Sequence, residues 1–221
     1  MVCLIPARGG SKSIPNKNII DVNGKPLIWW VLMSTLDTKL EKVYVATDSE
    51  EIKSVVESFG FDKVVVIGRS PETATDEATT ESVMEEFANN YEFEDMMVIQ
   101  PTSPLLRGEH IDEAIEKYES YPYDSLVSLV RQHNFQWKVN DNVCIDSNYN
   151  PANRPRRQDH KGYLVENGAL YITNKEAFVN MACRSRLIGS VGYYEMPKYT
   201  SYEIDEEDDI IIVEQLLKKY D

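Results

Sequence analysis

Hydrophobic residues fall in short blocks separated by longer amphipathic stretches. Blocks at 2–6, 43–47, 64–67, 96–100 and 125–130 are continuous rather than alternating. Strands buried on both faces read that way. The stretches between them have helical spacing. One begins at Pro26 and runs to Leu36, with proline at a first-turn position. A second, 50–59, stops at Gly60, a natural residue after a helix end. A third covers 79–91. A fourth, 109–118, sets Ile111, Ala114, Ile115 and Tyr118 on one face. This alternation predicts an α/β fold: a doubly wound, mostly parallel sheet with helices on both faces.

The alternation fails between about 131 and 166. That stretch is polar and aromatic, with Asn140, Asp141, Asn142, Asn148, Asn150, Pro151 and Pro155. It reads as an arm inserted into one domain that otherwise spans 1–221. Regular structure resumes with strands at 167–172 and 190–196. The final helix runs over about 206–219, with acidic residues in its first turn and Lys218 and Lys219 in its last, which suits the helix dipole.

The 221 residues carry a net charge of −14, from 23 basic and 37 acidic side chains. Such a surface argues against nucleic acid or an anionic membrane as a partner. It leaves room for a local cationic pocket. Cys3, Cys144 and Cys183 are odd in number and form no C-x-x-C. Neither a disulfide framework nor a cysteine zinc site is expected. No apolar run reaches membrane-spanning length, and Met1–Pro6 lacks the basic region of a signal peptide. The expected location is the cytoplasm.

The strongest local signal follows the first strand: Pro6-Ala7-Arg8-Gly9-Gly10-Ser11-Lys12-Ser13-Ile14-Pro15-Asn16-Lys17-Asn18. Loops at the carboxyl ends of parallel strands are where α/β sheets bind ligands. Two glycines let backbone N–H groups approach an anion. Arg8, Lys12 and Lys17 supply positive charge. The combination suits a nucleoside triphosphate, although neither G-x-x-x-x-G-K-[ST] nor G-x-G-x-x-G is present. The alternative is a glycine turn with solvated lysines.

This opening resembles the signature of the CMP-sialic acid synthetases, the acylneuraminate cytidylyltransferases. Gln100-Pro101-Thr102-Ser103-Pro104-Leu105 is similar to their second motif. Arg156-Arg157-Gln158-Asp159, followed by Asn167-Gly168-Ala169-x-Tyr171, is similar to their third. Tyr202-Glu203-Ile204-Asp205 stands where the family has an acidic dyad. The four matches occur in order along nearly the whole chain. The stretch 150–159 looks closer to the animal-type enzymes for sialate or its deaminated relative KDN than to most bacterial ones. The octulosonate cytidylyltransferases, with a different opening, fit less well.

The resemblance implies a nucleotide-diphospho-sugar transferase fold and a reaction between CTP and a nine-carbon 2-keto sugar acid, giving a CMP-sugar and pyrophosphate. It implies nucleotide contacts from Ala7, Arg8, Gly9, Asn16, Lys17, Arg69 and Thr80. Sugar-acid contacts would come from Gln100, Thr102, Ser103, Arg157, Gln158 and Asn167. Arg8, Lys17 and Asp205 would carry the chemistry. Glu203 and Asp205 would hold magnesium, with manganese as the alternative ion. The arm would join two subunits into a homodimer with shared active sites. Other readings stay open on the residues themselves. Asp205 is also an ideal helix cap. Gln100 to Ser103 also read as a proline-bracketed turn. Phe135, Trp137 and Tyr149 suit either a subunit interface or a small core under the arm. At the level of function, the alternatives are a legionaminate or pseudaminate substrate, or a catalytically silent nucleotide-sugar binding protein.

Overall fold

A computed structural model describes residues 1–181 and 184–220. Cys183 therefore lies outside the described residues. Cys3 is buried and Cys144 exposed, and both are free thiols.

The chain order is β1 (Val2–Pro6), β2 (Asp21–Val22), β3 (Lys25–Pro26), α1 (Leu27–Leu36), β4 (Val43–Thr47), α2 (Glu50–Ser58), β5 (Val64–Gly68), α3 (Thr80–Asn90), β6 (Asp95–Ile99), α4 (Gly108–Glu119), β7 (Ser125–Gln132), β8 (Trp137–Asn140), β9 (Val143–Ser147), β10 (Tyr163–Asn174), α5 (Lys175–Asn180), β11 (Val191–Met196) and α6 (Glu207–Tyr220). Seven strands form the main sheet in the order β11-β7-β10-β6-β1-β4-β5. All run parallel except β10, which pairs antiparallel with both β6 and β7.

Successive residues of a strand point to opposite faces, and the two cores divide that way. Cys3 and Ile5 of β1, with Met97 and Ile99 of β6, pack under α1, α2 and α4 through Ile28, Val31, Ile52 and Ile111. Val2 and Leu4, with Met96 and Val98, pack under α3 and α5 through Val83, Phe87 and Phe178. Burial on both faces explains why the strands read as continuous apolar runs. A third cluster seats α6, through Val213 and Leu217, on Ile14, Leu27, Leu105 and Ile204. That cluster brings the chain's last segment back to its first loop. Among the described residues, no helix is long and apolar enough to cross a membrane.

The 131–166 stretch holds a hairpin, β8–β9, separate from the main sheet. Its two-residue turn, Asp141-Asn142, has positive φ at both positions, 45° and 68°, as a type I′ turn requires. Phe135 and Tyr149 pack together at 4.5 Å, and Phe135 stacks on His160. The Arg154 guanidinium lies 4.4 Å from the Phe135 ring centre. These aromatics form a small intrachain cluster at the root of the hairpin. Trp137, Val139, Val143 and Ile145 remain exposed, at 44%, 62%, 61% and 61%.

Candidate active site

The chain visits β4 and β5 on one side of β1 and then crosses back to β6 on the other. This reversal opens a crevice at the carboxyl ends of β1, β4 and β6. Three loops meet there: 7–16 after β1, 69–79 after β5 and 100–107 after β6. The turn before α6 joins them.

In the first loop, Ala7 is fully buried and its N–H donates to the Ala46 carbonyl at 2.9 Å, so only its backbone is offered to a ligand. The Arg8 carbonyl is fixed by Asn18, whose amide donates to it at 2.9 Å. Arg8 Nη1 and Lys12 Nζ both reach Asp76 of the second loop, at 2.6 and 2.8 Å. Those contacts, Lys12 first, hold the Asp76 carboxyl below its ordinary value. The Gly9 N–H donates to Asp48 Oδ1 at 2.9 Å. A Cβ at Gly9 would lie 2.9 Å from Ser49 Cβ, so glycine is needed for this close approach. Asn16 has φ 53°, and its amide donates to Glu51 of α2 at 3.2 Å.

In the second loop, Arg69 donates to the Thr73 carbonyl, while its buried Nε has no partner among the described residues. Burial lowers the Arg69 pKa, opposed only in part by the Asp48 charge. A cavity of about 320 Å³ opens beside it, against Ala46, Ile67, Val83 and Phe87. Glu86 of α3 pins this loop. It accepts from the Ser70 N–H at 2.9 Å, from Ser70 Oγ at 3.1 Å and from Thr73 Oγ1 at 2.6 Å. Thr79 caps α3, which leaves Thr80 half-buried as its first residue.

The third loop and the final turn face each other. Ile204 is buried, and its N–H donates to the Thr102 carbonyl at 2.9 Å. This contact sets Glu203 and Asp205 at the loop's edge. Thr102 Oγ1 donates to Glu203 Oε2 at 3.4 Å. Lys17 Nζ donates to Asp205 Oδ1 at 2.9 Å. Burial, and then the neighbouring Asp205 charge, push the Glu203 carboxyl up to about 7. Gly168, at φ 68° in a register break of β10, lies against the Glu203 carboxylate. A methyl there would come 2.9 Å from Glu203 Cδ.

Asp205 is not the helix cap. The helix begins at Glu207, and Asp209, its third residue, reaches back to accept from the N–H groups of Asp205 and Glu206 at 2.9 and 2.8 Å. The Asp205 carboxylate is left facing Lys17. The dyad's oxygens, with Thr102 beside them, are hard donors of the kind magnesium prefers. Two adjacent carboxylates, one with a raised pKa, form a pair that a divalent cation would relieve. Among the described residues, no group of three or more His, Cys, Asp or Glu could hold a metal ion. An ion at the dyad would complete its shell from phosphate oxygens and water.

Contacts along the crevice join Arg8 to Asp76, Gly9 to Asp48, Lys17 to Asp205 and Thr102 to Glu203. Gln100 is half-buried, its N–H donating to the Ala169 carbonyl at 3.3 Å. Ser103 is 2% exposed, and its hydroxyl is without a partner among the described residues. Asn167 sits underneath as a brace. It is 2% exposed, accepts from Ser128 Oγ at 2.6 Å and donates to Thr200 Oγ1 at 3.0 Å. Arg157 and Gln158 are exposed on the arm, and their side chains make no hydrogen bond or ion pair among the described residues.

Reading the sequence missed the anchoring role of Asp76, Asp48, Asn18 and Glu86. Nothing in the local pattern around Asp76 announces a partner 68 positions away.

A family model described as Cytidylyltransferase matches residues 2–220. The chain belongs to this family. Among its relatives, N-acylneuraminate cytidylyltransferase A of Danio rerio is 40% identical over 98% of this chain and 50% of its own length. N-acylneuraminate cytidylyltransferase B of the same organism is 38% identical over 98% of this chain and 51% of its own. The chain thus spans about half the length of these curated relatives. A solved CMP:2-keto-3-deoxy-manno-octonic acid synthetase, complexed with CTP, superposes with a TM-score of 0.71 at 20% identity, covering 99% of this chain and 98% of that one. At that identity the likeness concerns the fold, and it agrees with the doubly wound sheet.

Proposed function

We propose that the protein transfers the CMP group of CTP to an N-acylneuraminate-type sugar acid, releasing pyrophosphate. The observation that carries this reading is the pairing of Lys17 with Asp205. It joins a cationic glycine loop to a carboxylate dyad across one crevice. The names of the two zebrafish relatives support the substrate class.

In this reading Arg8, Lys17 and the Gly9 backbone take the triphosphate. Arg69 and Thr80 would contact the base and ribose. The anomeric hydroxyl of the sugar attacks the α-phosphorus, the bond to pyrophosphate breaks, and the hydroxyl proton leaves to solvent or phosphate. Such a transfer needs alignment and charge stabilisation more than covalent help. Lys17 is only 13% exposed, so its charge acts through little water. Magnesium, held by Asp205 and Glu203, would neutralise charge on the phosphates. Gln100 and Thr102 would read the sugar hydroxyls. Arg157 offers a guanidinium for the substrate carboxylate.

The arm supports a homodimer as part of the reading. An isolated two-stranded hairpin is marginal in water, and this one leaves Trp137, Val139, Val143 and Ile145 uncovered. A second subunit would cover them and bring the arm's Arg157 to the partner's crevice. The direct test is phosphorus NMR of a reaction containing CTP, N-acetylneuraminate and magnesium. A phosphodiester signal of a CMP-sugar, with pyrophosphate in equal amount, is expected. CDP with inorganic phosphate, or unchanged CTP, would overturn the proposal.

A further inference from the structure

Asp76 spends both carboxylate oxygens on the first loop: Oδ1 on Arg8 Nη1 at 2.6 Å and Oδ2 on Lys12 Nζ at 2.8 Å. It is the tie between the loops after β1 and β5. Its own loop is fixed from below, because Glu86 of α3 takes three donors from Ser70 and Thr73. Arg8 is therefore held at both ends. Its backbone carbonyl rests on Asn18, which is 5% exposed, and its guanidinium rests on Asp76.

A guanidinium has five donors and an ammonium three. Asp76 takes one from each, so the remaining donors stay free for an anion. With Arg8 29% exposed, an untied guanidinium in a loop containing two glycines would sample many rotamers, and a ligand would have to order it. We infer that Asp76 is a positioning residue for nucleotide binding and transfer: it presets the Arg8 guanidinium and the Lys12 ammonium in the geometry the triphosphate meets. The inference rests on reading the first loop as the triphosphate cradle.

The test compares Asp76→Asn, Asp76→Glu, Arg8→Ala and the double variant Asp76→Asn/Arg8→Ala. The readouts are kcat, KM for CTP, KM for the sugar acid and the melting temperature. Asp76→Asn should lower kcat/KM for CTP by about 10–100-fold, the range a misplaced charge commands. The KM for the sugar acid and the melting temperature should stay unchanged, because the pair is largely exposed. Asp76→Glu should recover part of the loss. In the Arg8→Ala background, Asp76→Asn should cost about threefold or less, since only the contact with the more exposed Lys12 is then left to lose. Loss in Arg8→Ala with none in Asp76→Asn would overturn the positioning role alone. So would losses that multiply, or tighter CTP binding at unchanged kcat, which would make Asp76 a competing counter-ion. An Arg8→Ala variant at the native rate would overturn the cradle reading itself.

Discussion

Lys17 and Asp205 stand 188 positions apart in the chain and 2.9 Å apart in space. One ends the loop after the first strand, and the other lies two residues before the last helix. Their contact depends on the cluster of Ile14, Leu27, Ile204 and Val213 that seats α6 against the first loop. A packing relationship thus delivers a charge relationship. In the proposed reaction the pair opens, Lys17 toward phosphate and Asp205 toward the cation.

Asp205→Asn should therefore lose about 100–1,000-fold in kcat, the usual cost of removing a group that stabilises transition-state charge. Its melting temperature should barely move, because the Asp205 side chain is 65% exposed and accepts from Lys17 rather than from an N–H of the helix. Rate assays beside a thermal melt decide the matter. A near-native rate would leave Asp205 as a surface partner of Lys17 only.

Gly168→Ala tests how Glu203 is held. The site has φ 68°, and the added methyl would strike the Glu203 carboxylate. The backbone conformation alone costs an alanine about 1–2 kcal/mol. Activity should fall further than this stability loss explains. Urea unfolding with parallel rate measurements separates the two effects.

Asn167 was expected to touch the sugar acid, and the structure places it in a buried network with Ser128 and Thr200. Asn167→Ala should cost about 2–4 kcal/mol of stability, since both partners lose a buried hydrogen bond. Urea midpoints measure this. A stable variant with a raised KM for the sugar acid would instead support contact between Asn167 and the sugar acid.

Much of this was legible in the sequence. The two-faced strands announced themselves as unbroken apolar runs, and helix starts such as Pro26 fell close to the observed ones. The antiparallel direction of β10 did not show, because direction leaves no mark on a residue pattern. Its first residues, Tyr163 to Glu166, also lay inside what read as the arm. The hairpin was visible in hindsight: Trp137 and Val139 alternate with polar residues, as do Val143 and Ile145. Its turn is Asp-Asn rather than the commoner Asn-Gly, and the asparagine-rich surroundings read as loop. The site's cations and carboxylates were legible one by one. Their pairings, Arg8 with Asp76 and Lys17 with Asp205, were not, since tertiary contact over such separations has no local signal.

Stability should depend on pH through His110. The ring is 3% exposed, its Nδ1 accepting from the Arg107 N–H at 3.2 Å and its Nε2 lying 3.3 Å from the Tyr199 hydroxyl. Burial depresses its pKa below 6.5, against the opposing pull of Glu109 and Glu113 and aided by Arg107. A base with a depressed folded pKa contributes stability above its unfolded value and loses it as pH falls. The melting temperature should drop by roughly 2–4 °C per kcal/mol lost as pH falls from 6.5. His110→Gln should flatten that part of the profile. Equal slopes in both proteins would assign the loss to carboxylates elsewhere.

The proposed dimer predicts that Ile145→Glu sediments as a monomer while keeping its melting temperature within about 2 °C, because the replaced side chain is 61% exposed and a surface change costs little. Sedimentation velocity of native and variant protein reads this. A native protein that is already monomeric at assay concentration would contradict it.

The central claim is that the crevice between Arg8, Lys17, Arg69 and the Glu203–Asp205 dyad binds CTP and passes its CMP group to a sialic-acid-type sugar. Initial rates of pyrophosphate release, with N-acetylneuraminate fixed and CTP, UTP, ATP and GTP compared, test it most directly. The account predicts that release requires the sugar acid and is at least about 100-fold faster with CTP than with the other three, the discrimination a site built on polar contacts to one base sustains. Equal turnover of UTP, or release of pyrophosphate without any sugar acid, would contradict it.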